Sequence, residues 1–442
     1  MVWLLITAGA AAAQPATTPG SPPPDSGVVQ WARASAVPLH SVDAPYDDAS
    51  FAFLRPLVGN AHVFAIGEAI HGGHEPLAFR NEVIRYAVTH LGFTAVAIES
   101  GFTEAGIIDD FIQGGPGNID SVVRAGITWE FERLPENHDL VAWLHSYNAT
   151  ATRKVHFYGL DITGANDTGF MPLAAHAITA PLSYLDHVAP PAAARFRPRL
   201  EPLLDRWIPT RFAELSAADR DLIRAELDSM SHALEADSGR YIRATSHLAY
   251  ARALRNVWMA IRMHEIMTVD LTAPPNSYRG GAIFRDSTMA ENTQWVLRQS
   301  GPGAHIIVFA HNGHVLNTRP VYGGDTLTPL GHYLRGHFGP DLVVLGATTG
   351  TVIGGTGGIG GWLGDSGESR ANPTTFSATL AKVGLPTFVL DRRSGDRIPE
   401  VAAALAQTWP FMLGSDEPQP VVPHEAFDAV VYFERITSSK FR

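Results

Sequence analysis

The sequence predicts an α/β protein: a mostly parallel β-sheet flanked by helices, with a helical insertion or cap. Short apolar runs recur along the chain and end in polar or charged residues, and helical patterns separate several of them. A long stretch, from about 172 to 297, has helical periodicity and contains no comparable apolar run. Near-continuous apolar strands that alternate with helices are typical of parallel sheets covered on both faces.

Each predicted strand is an apolar run of strand length. Between the first two runs, a helix is predicted from Pro76 to Leu91, because apolar residues recur there at helical spacing and proline suits a first turn. The glycine-rich segment 353–369 is predicted to be a loop. The predicted strands are HVFAI (62–66), FTAVAIES (93–100), KVHFYGLD (154–161), AHIIVFAHNGH (304–314), LVVLGATT (342–349), TFVLD (387–391) and AVVYFER (429–435).

The composition narrows the class of partner. The 442 residues are 45% hydrophobic, which is enough for a substantial core, and 33 basic against 44 acidic residues give a net charge of −11. No run of lysine and arginine follows the spacing of a phosphate backbone, so we expect a small-molecule partner and no nucleic acid. With no cysteine, the chain has no disulfide, no thiolate metal site and no cysteine nucleophile.

The N-terminal segment predicts export. Residues 2–13 read VWLLITAGAAAA, a short apolar stretch that ends in small residues, so residues 1–13 are predicted to be a signal peptide cleaved after Ala13. A proline-rich linker over 14–27 and an α/β domain over 28–442 would follow, in a periplasmic or secreted protein. Twelve apolar residues are too few to span a bilayer, so no stable membrane insertion is expected. The alternative is a disordered Ala/Pro tail, because the stretch lacks a basic n-region.

Ionisable side chains follow the predicted strands at their carboxyl ends. Those ends share one edge of a parallel sheet, where ligands of open α/β sheets bind, so we expect these groups to converge on one pocket. The alternative is that each group caps a helix or satisfies a buried loop, and for Glu75 we favour helix capping. The groups are Glu68, His71, His74 and Glu75 after the first strand, Glu99 at the second, Asp161 at the third, and His311 and His314 after the fourth.

The motif content limits the chemistry that this pocket can perform. The sequence has no G-x-S-x-G elbow, no H-E-x-x-H motif and no phosphate-binding G-x-x-x-x-G-K-[ST]. Residues Gly355 to Gly360 match the dinucleotide pattern, but no helical pattern follows them. What remains is histidine and carboxylate chemistry on a water molecule, with an arginine or a second histidine to stabilise an oxyanion.

One segment carries a family resemblance. The stretch GEAIHGGHEPLAFRNEVIRYAVTHLGFTAVAIES closely resembles the erythromycin esterase family, in which G-E-x-x-H-G is followed by an arginine on the next helix and a glutamate at the next strand end. The segments VHFYGLDI, FRDSTMAENTQWVL, IIVFAHNGHV and LGHYLRGHFG are similar to further blocks of that family in the expected order. The resemblance spans about residues 60–350, with a weaker tail to FDAVVYFERIT.

The resemblance implies a hydrolase that opens a macrocyclic lactone by attack of an activated water, without a covalent intermediate. It implies that His71 is the general base, with Glu68 and Glu99 orienting it or sharing the water. Arg80 would hold a carboxylate or stabilise the oxyanion. His311 and His314 would complete the pocket of this catalytic group.

Further residues are candidates for substrate contact or support. The resemblance implies that Asp286 and Asn292 of RDSTMAEN lie near the site. This sequence departs from the family in reading Ala-Ile between Glu68 and His71, where Ala-Thr or Ser is expected, which puts a loop hydrogen bond in doubt. Many family members have no known substrate, and some are linked to exopolysaccharide biosynthesis. The candidates for substrate contact are His74, Asp161, Asn292 and Trp129.

Two alternatives remain open at this point. The same histidines and glutamates can form a ligand set for Zn²⁺ or Mn²⁺, although Arg80 would repel a divalent cation; the main expectation is therefore no cofactor. The second alternative is a periplasmic sugar- or polymer-binding protein on an esterase-like scaffold. Its groove would use exposed aromatic residues, and the candidates are Trp129, Phe131, Trp295 and Trp362.

Overall fold

The computed structural model describes residues 26–162, 175–207, 209–268, 276–322, 325–354, 367–413 and 418–440. The predicted signal peptide, most of the predicted linker, the Gly355–Gly360 pattern and Trp362 lie outside these described residues. In the described part of the chain, every helix is either too short or too polar to span a lipid bilayer.

The chain forms α-helices and β-strands in the order that the apolar pattern predicts. The strands are β1 (Val37–Pro38), β2 (Val63–Glu68), β3 (Ala95–Gly101), β4 (His156–Asp161), β5 (Ile306–His311), β6 (Val321–Tyr322), β7 (Asp325–Thr326), β8 (Leu342–Ile353), β9 (Glu368–Arg370), β10 (Thr387–Asp391), β11 (Trp409–Phe411), β12 (Gln419–Val421) and β13 (Ala429–Thr437).

Helices precede and separate these strands. They are α1 (Ser26–Ser35), α2 (Leu54–Val58), α3 (His74–His90), α4 (Ala105–Ile112), α5 (Ile119–Gly126), α6 (Pro135–Thr150), α7 (His176–Val188), α8 (Pro190–Leu200), α9 (Pro209–Phe212), α10 (Ala217–Ala236), α11 (Ser238–Ala244), α12 (His247–Thr268), α13 (Asn276–Ser300), α14 (Asn312–Val315), α15 (Leu330–Phe338), α16 (Phe376–Ala381), α17 (Pro399–Leu405) and α18 (Pro423–Ala426).

The main sheet has the strand order β1-β10-β13-β8-β2-β5-β3-β4, with β9 paired to β8. All neighbouring strands from β13 to β4 are parallel, whereas β10 is antiparallel to β13, and β1 and β9 also join by antiparallel pairs. The predicted mostly parallel sheet is therefore confirmed. Each predicted strand is present, and TFVLD forms the antiparallel strand β10.

Both faces of the sheet are buried, which explains the unbroken apolar runs. Successive side chains of β2 point to opposite faces: Val63 and Ala65 join one buried cluster, and Phe64 and Ile66 join the other. The first cluster contains residues of α1, α7, α8, α10, α12, α13 and α15–α17, and the second contains residues of α2–α6. Helices on both faces leave the edge at the carboxyl ends of the strands for ligands.

The described chain between β4 and β5 is helical from α7 to α13. Helices α7, α8, α10 and α12 pack on one another, and α13 packs against β4. Because α13 lies beside the sheet, it can bring its own side chains to the ends of β3 and β4. On the opposite face, α3 begins at His74, two residues before the predicted start, so the histidine-rich loop leads directly into that helix.

Asn312 joins β5 to β8 across the end of β2. Strand β2 pairs with β8 from Val63 to Ile66, and beyond that point the buried Asn312 side chain bonds to both backbone groups of Ala347. Asn312 Nδ2 donates to the Ala347 carbonyl at 2.7 Å, and the Ala347 N–H donates to Asn312 Oδ1 at 3.0 Å. A Cβ atom on Gly67 would lie 2.2 Å from that Oδ1, so only glycine leaves room for this bridge.

We expect Asn312→Ala to lower the free energy of unfolding by about 2 to 4 kcal/mol, because two buried backbone groups of Ala347 lose their partners. Urea unfolding measures the change. Asn60→Ala is the matched control, since Asn60 is exposed and its loss should cost less than about 0.5 kcal/mol. Equal unfolding free energies for the two variants would contradict this role of Asn312.

Candidate active site

The loop after β2 carries a buried histidine–carboxylate pair. Glu68 and His71 are 3% and 7% exposed, and His71 Nδ1 lies 3.2 Å from Glu68 Oε1. Burial raises the pKa of Glu68, and the neighbouring imidazole opposes that rise. When Nδ1–H is donated to Glu68, a neutral imidazole keeps its lone pair on Nε2. The pair therefore has the arrangement of a general base held by a carboxylate.

His311 lies beside His71, because β5 is the neighbour of β2 and pairs Glu68 with His311. The two imidazole centroids are 4.8 Å apart. The Gly313 N–H donates to His311 Nδ1 at 3.1 Å, which leaves the ring hydrogen on Nε2. Burial and the His71 imidazole hold the pKa of His311 well below its usual range. Nε2 is buried and has no hydrogen-bond partner among the described residues, so this neutral ring keeps an N–H to donate.

Arg285 of α13 joins the ends of β3 and β4. Its Nη2 donates to Glu99 Oε1 at 2.7 Å and to Asp161 Oδ2 at 2.6 Å, and its Nε lies 3.0 and 2.9 Å from the two Asp161 oxygens. Burial opposes the charge on the guanidinium, but Asp161 and Glu99 outweigh that effect and raise the pKa of Arg285. Arg285 therefore neutralises two buried carboxylates that the sequence placed at this edge.

Sequence reasoning did not single out Arg285. The block FRDSTMAEN drew attention to Asp286 and Asn292, and the arginine directly before Asp286 was passed over. A usable signal was present, because two buried carboxylates at adjacent strand ends require a cation and this block lies on a helix that precedes β5.

His314 is held between two carboxylates. Its Nδ1 lies 2.8 Å from Asp286 Oδ1 and its Nε2 lies 3.3 Å from Glu99 Oε1. Burial disfavours the charged imidazole, but Asp286 and Glu99 outweigh it and raise the pKa of His314 to about 10. Burial likewise disfavours the Glu99 anion, yet His314 and Arg285 hold the pKa of Glu99 well below its usual range. The two carboxylates therefore favour the protonated imidazole of His314, whereas burial favours the neutral imidazole of His311.

Arg80 lies beneath this group, on α3. The side chain is 1% exposed; Nε and Nη2 donate to Asn81 Oδ1 at 3.1 and 2.8 Å, and the guanidinium lies 4.6 Å from the Phe309 ring centre. Burial lowers the pKa of Arg80 to about 10, and the charge of Glu68 opposes that fall. Among the described residues Arg80 forms no direct ion pair, so its charge acts on Glu68 at longer range.

The candidates for substrate contact occupy three different environments. Asp161 belongs to the Arg285 cluster. Asn292 is fully buried between α13 and β4, where it donates to the Leu160 carbonyl at 2.7 Å and accepts from Arg255. His74 lies outside the cluster and pairs with Glu136 at 2.6 Å and with Asp43 at 3.1 Å.

Trp129 lies over Arg285, with 5.3 Å between the guanidinium and the ring centre. Its φ is 67° and that of Glu130 is 64°, a left-handed conformation that costs energy for residues other than glycine. Such strain is often found at functional sites, which agrees with the place of Trp129 beside the charged cluster.

Of the remaining aromatic candidates, Phe131 and Trp295 are buried. Phe131 lies against His71, with 5.1 Å between the ring centroids. Trp295 packs edge-on against Phe102 and Tyr158 in the core. Neither of these two aromatic side chains is part of an open groove.

The arrangement of the charged groups bears on the metal alternative. Over the described residues, no group of three or more His, Asp or Glu side chains converges as metal ligands. Both oxygens of Glu99 are already engaged, Oε1 by Arg285 and His314, and Oε2 by the His311 N–H at 2.8 Å. A divalent cation there would also meet two resident positive charges.

Comparisons with known proteins bear on the family of this chain. The family model described as "Erythromycin esterase" matches residues 88–436. Over 331 residues the chain is 27% identical to erythromycin esterase type II of Escherichia coli. The matched region makes up 72% of this chain and 76% of that relative.

Two solved structures share the fold. A Bacillus cereus protein has a TM-score of 0.80 and 21% identity over 95% of this chain and 100% of its own. A mutant of the erythromycin esterase EreC, in its open conformation, has a TM-score of 0.63 and 17% identity over 91% of this chain and 98% of its own. At these identities the likeness to solved structures concerns the fold alone.

The raised pKa of His314 predicts a pH dependence of stability. The group binds its proton more tightly in the folded chain, so the stabilisation is complete below pH 6.5 and is lost as the pH rises through about 10. We expect His314→Gln to make the free energy of unfolding fall less steeply than in the wild type over this range. Urea unfolding at several pH values tests it.

His187→Gln is the control, because His187 is an exposed histidine on α7. His74 also has a raised pKa but is present in all three proteins, so its contribution cancels in the comparison. If His314→Gln and the wild type show the same slope with pH, the charged state assigned to His314 is wrong.

Proposed function

The chain belongs to the erythromycin esterase family, and we propose that it hydrolyses a cyclic or bulky carboxylic ester, with a macrolide lactone as the leading candidate. The observation that carries this proposal is the pairing of His71 with Glu68 beside a neutral His311 whose Nε2–H has no partner among the described residues. This arrangement supplies a base for water and a hydrogen-bond donor for the oxygen that becomes charged.

In the proposed reaction His71 activates water. Nε2 accepts a proton while the water oxygen forms a bond to the ester carbonyl carbon, and the carbonyl π electrons move to oxygen. Glu68 stabilises the imidazolium that forms, because its carboxylate faces Nδ1–H. The tetrahedral intermediate then expels the alcohol oxygen, which takes the proton from His71. A lactone gains one water and becomes an open-chain hydroxy acid.

His311 is the proposed donor to the oxyanion. A neutral imidazole can donate Nε2–H without competing for the proton that His71 carries. The donor ends β5, and the base lies in the loop after the neighbouring strand β2, with 4.8 Å between the two ring centroids. The positive charges of Arg285 and Arg80 favour negative charge at this edge of the sheet.

Substrate choice is proposed to reside in the helical segment from α7 to α13. Hydrolysis by water needs only the side chains at the strand ends. The space available to a substrate above them depends on the elements that pack beside this edge of the sheet. A wide opening would admit a macrolide ring with its lactone carbonyl toward His71, and a narrow one would admit only smaller acyl esters.

A screen of the purified protein tests the function. Several macrolides and simple acyl esters are incubated with and without chelator, and products are detected by mass spectrometry. We expect a gain of one water on a macrolide or bulky ester, unaffected by chelator. Activity that chelator abolishes and Zn²⁺ or Mn²⁺ restores would favour the metal-dependent alternative. A folded protein that converts no ester would favour the sugar- or polymer-binding alternative.

Replacement of His71 by alanine tests the mechanism. We expect kcat/KM to fall by about 10² to 10⁴, as loss of a general base usually causes, with the circular dichroism spectrum retained. His187→Ala is the control histidine on the surface of α7 and should keep wild-type activity. Near-full activity of His71→Ala on the ester that the wild type cleaves would refute the assignment. A rapid-quench burst or a covalent mass adduct would refute direct attack by water.

A further inference from the structure

The C-terminal end of β13 and the two residues after it meet the loop that carries His71 and the start of α3. We propose that residues Thr437, Ser438 and Ser439, here named the C-terminal clamp, position His71 for catalysis. This inference rests on the proposed function, because it assigns to the clamp the alignment of the same base. The clamp lies more than 360 positions after residues 72–75 in the sequence, yet it contacts them in the fold.

The clamp first holds the start of α3. The Thr437 N–H donates to Glu75 Oε2 at 2.7 Å, and Thr437 Oγ1 donates to Glu75 Oε1 at 2.8 Å. Glu75 has a structural role at the start of α3, as the sequence indicates, and its carboxylate accepts from the clamp. Both carboxylate oxygens are thereby used to fasten the end of the loop to β13.

The clamp next holds the two glycines that follow His71. The Ser439 N–H donates to the Gly72 carbonyl at 2.8 Å, and Ser438 forms an antiparallel bridge with Gly73. Gly72 has a φ of 75°, and a Cβ on Gly73 would lie 2.7 Å from Ile436 Cγ2. The glycines permit both the left-handed turn and the close approach of the clamp, at the expense of local stiffness.

A buried side-chain bond completes the clamp. Ser439 Oγ donates to Glu136 Oε2 at 2.6 Å, and the other oxygen of Glu136 contacts His74 Nδ1 at 2.6 Å. Ser439 and Glu136 are 4% and 5% exposed, so water competes little for this bond. Glu136 also accepts at its main-chain oxygen from Asn81, the residue that binds Arg80.

These contacts restrain the backbone that follows the base. His71 is bonded to Glu68 on its N-terminal side, and the two glycines after it permit more backbone conformations than other residues would. A displacement of about 1 Å at a reacting group can cost about 10²-fold in rate. The clamp restrains this segment at the Gly72 carbonyl, at the Gly73 bridge and at the Glu75 carboxylate.

The kinetic test uses two matched pairs of variants. Ser439→Ala loses the bond to Glu136, whereas Ser438→Ala removes an exposed hydroxyl that bonds only locally to the Ser439 carbonyl. Thr437→Val loses the hydroxyl bond to Glu75, whereas Thr437→Ser keeps it. We expect Ser439→Ala and Thr437→Val to lower kcat at least about tenfold with KM within about twofold. Ser438→Ala and Thr437→Ser should retain wild-type values.

A second measurement follows His71 itself and needs no substrate. The protein is labelled with ¹⁵N-histidine, and the His71 ring signal is identified by its loss in His71→Asn. We expect Ser439→Ala and Thr437→Val to shift that signal and Ser438→Ala to leave it in place. If the signal stays at its wild-type position in both Ser439→Ala and Thr437→Val, the clamp does not position His71.

The two measurements separate the clamp from the function. Shifted His71 signals in a protein that cleaves no ester would support the clamp and refute the esterase. Wild-type kcat in both Ser439→Ala and Thr437→Val, in a protein that does cleave an ester, would overturn the clamp and leave the esterase standing. Should Ser439→Ala fail to fold, the Thr437 pair decides the question, because its exchanged side chains are similar in size.

Discussion

The binding of Arg285 to Glu99 and Asp161 is the constraint on which the site depends. Two carboxylates buried at the ends of adjacent strands repel each other and lose solvation, and one guanidinium offsets both effects. Because Arg285 is carried by α13, this charge balance also fixes the helical segment before β5 against the sheet. The position of Asp286, and through it of His314, follows from the same contact.

Two histidines of one short motif have surroundings that shift their pKa values in opposite directions. His311 and His314 are three residues apart, yet the pKa of His311 is lowered and that of His314 is raised. His311 accepts from a backbone N–H and faces another imidazole, while His314 lies between Asp286 and Glu99. Their surroundings suit the two side chains to different roles. His311 can donate a hydrogen bond to an oxyanion, and His314 balances the charge of Glu99.

The sequence predicts the parts of this structure that depend on local pattern. Apolar runs located the strands, and the rule for parallel strand ends placed Glu68, Glu99 and His311 at one edge. The antiparallel direction of β10 could not be predicted, because an apolar run has the same composition in either direction. Arg285 and Ser439 were missed for a related reason: their partners are distant in sequence, so no spacing marks the pairing.

The strand-end side chains and the helices from α7 to α12 come from different parts of the fold, so the chemistry and the choice of substrate can vary separately. The proposed base, its carboxylate and the proposed oxyanion donor come from the end of β2, the loop after it and the end of β5, in the middle of a sheet whose two faces are packed. Helix α13 packs against β3, β4 and β5, and the helices from α7 to α12 pack mainly on one another. Changes there can alter the space for a substrate, provided that Arg285 keeps its place. A shift of α13 itself would leave Glu99 and Asp161 without their counter-charge and disturb the site. We therefore expect relatives with different substrates to differ in the helices from α7 to α12. We expect them to keep the residues at the start of the FRDSTMAEN segment.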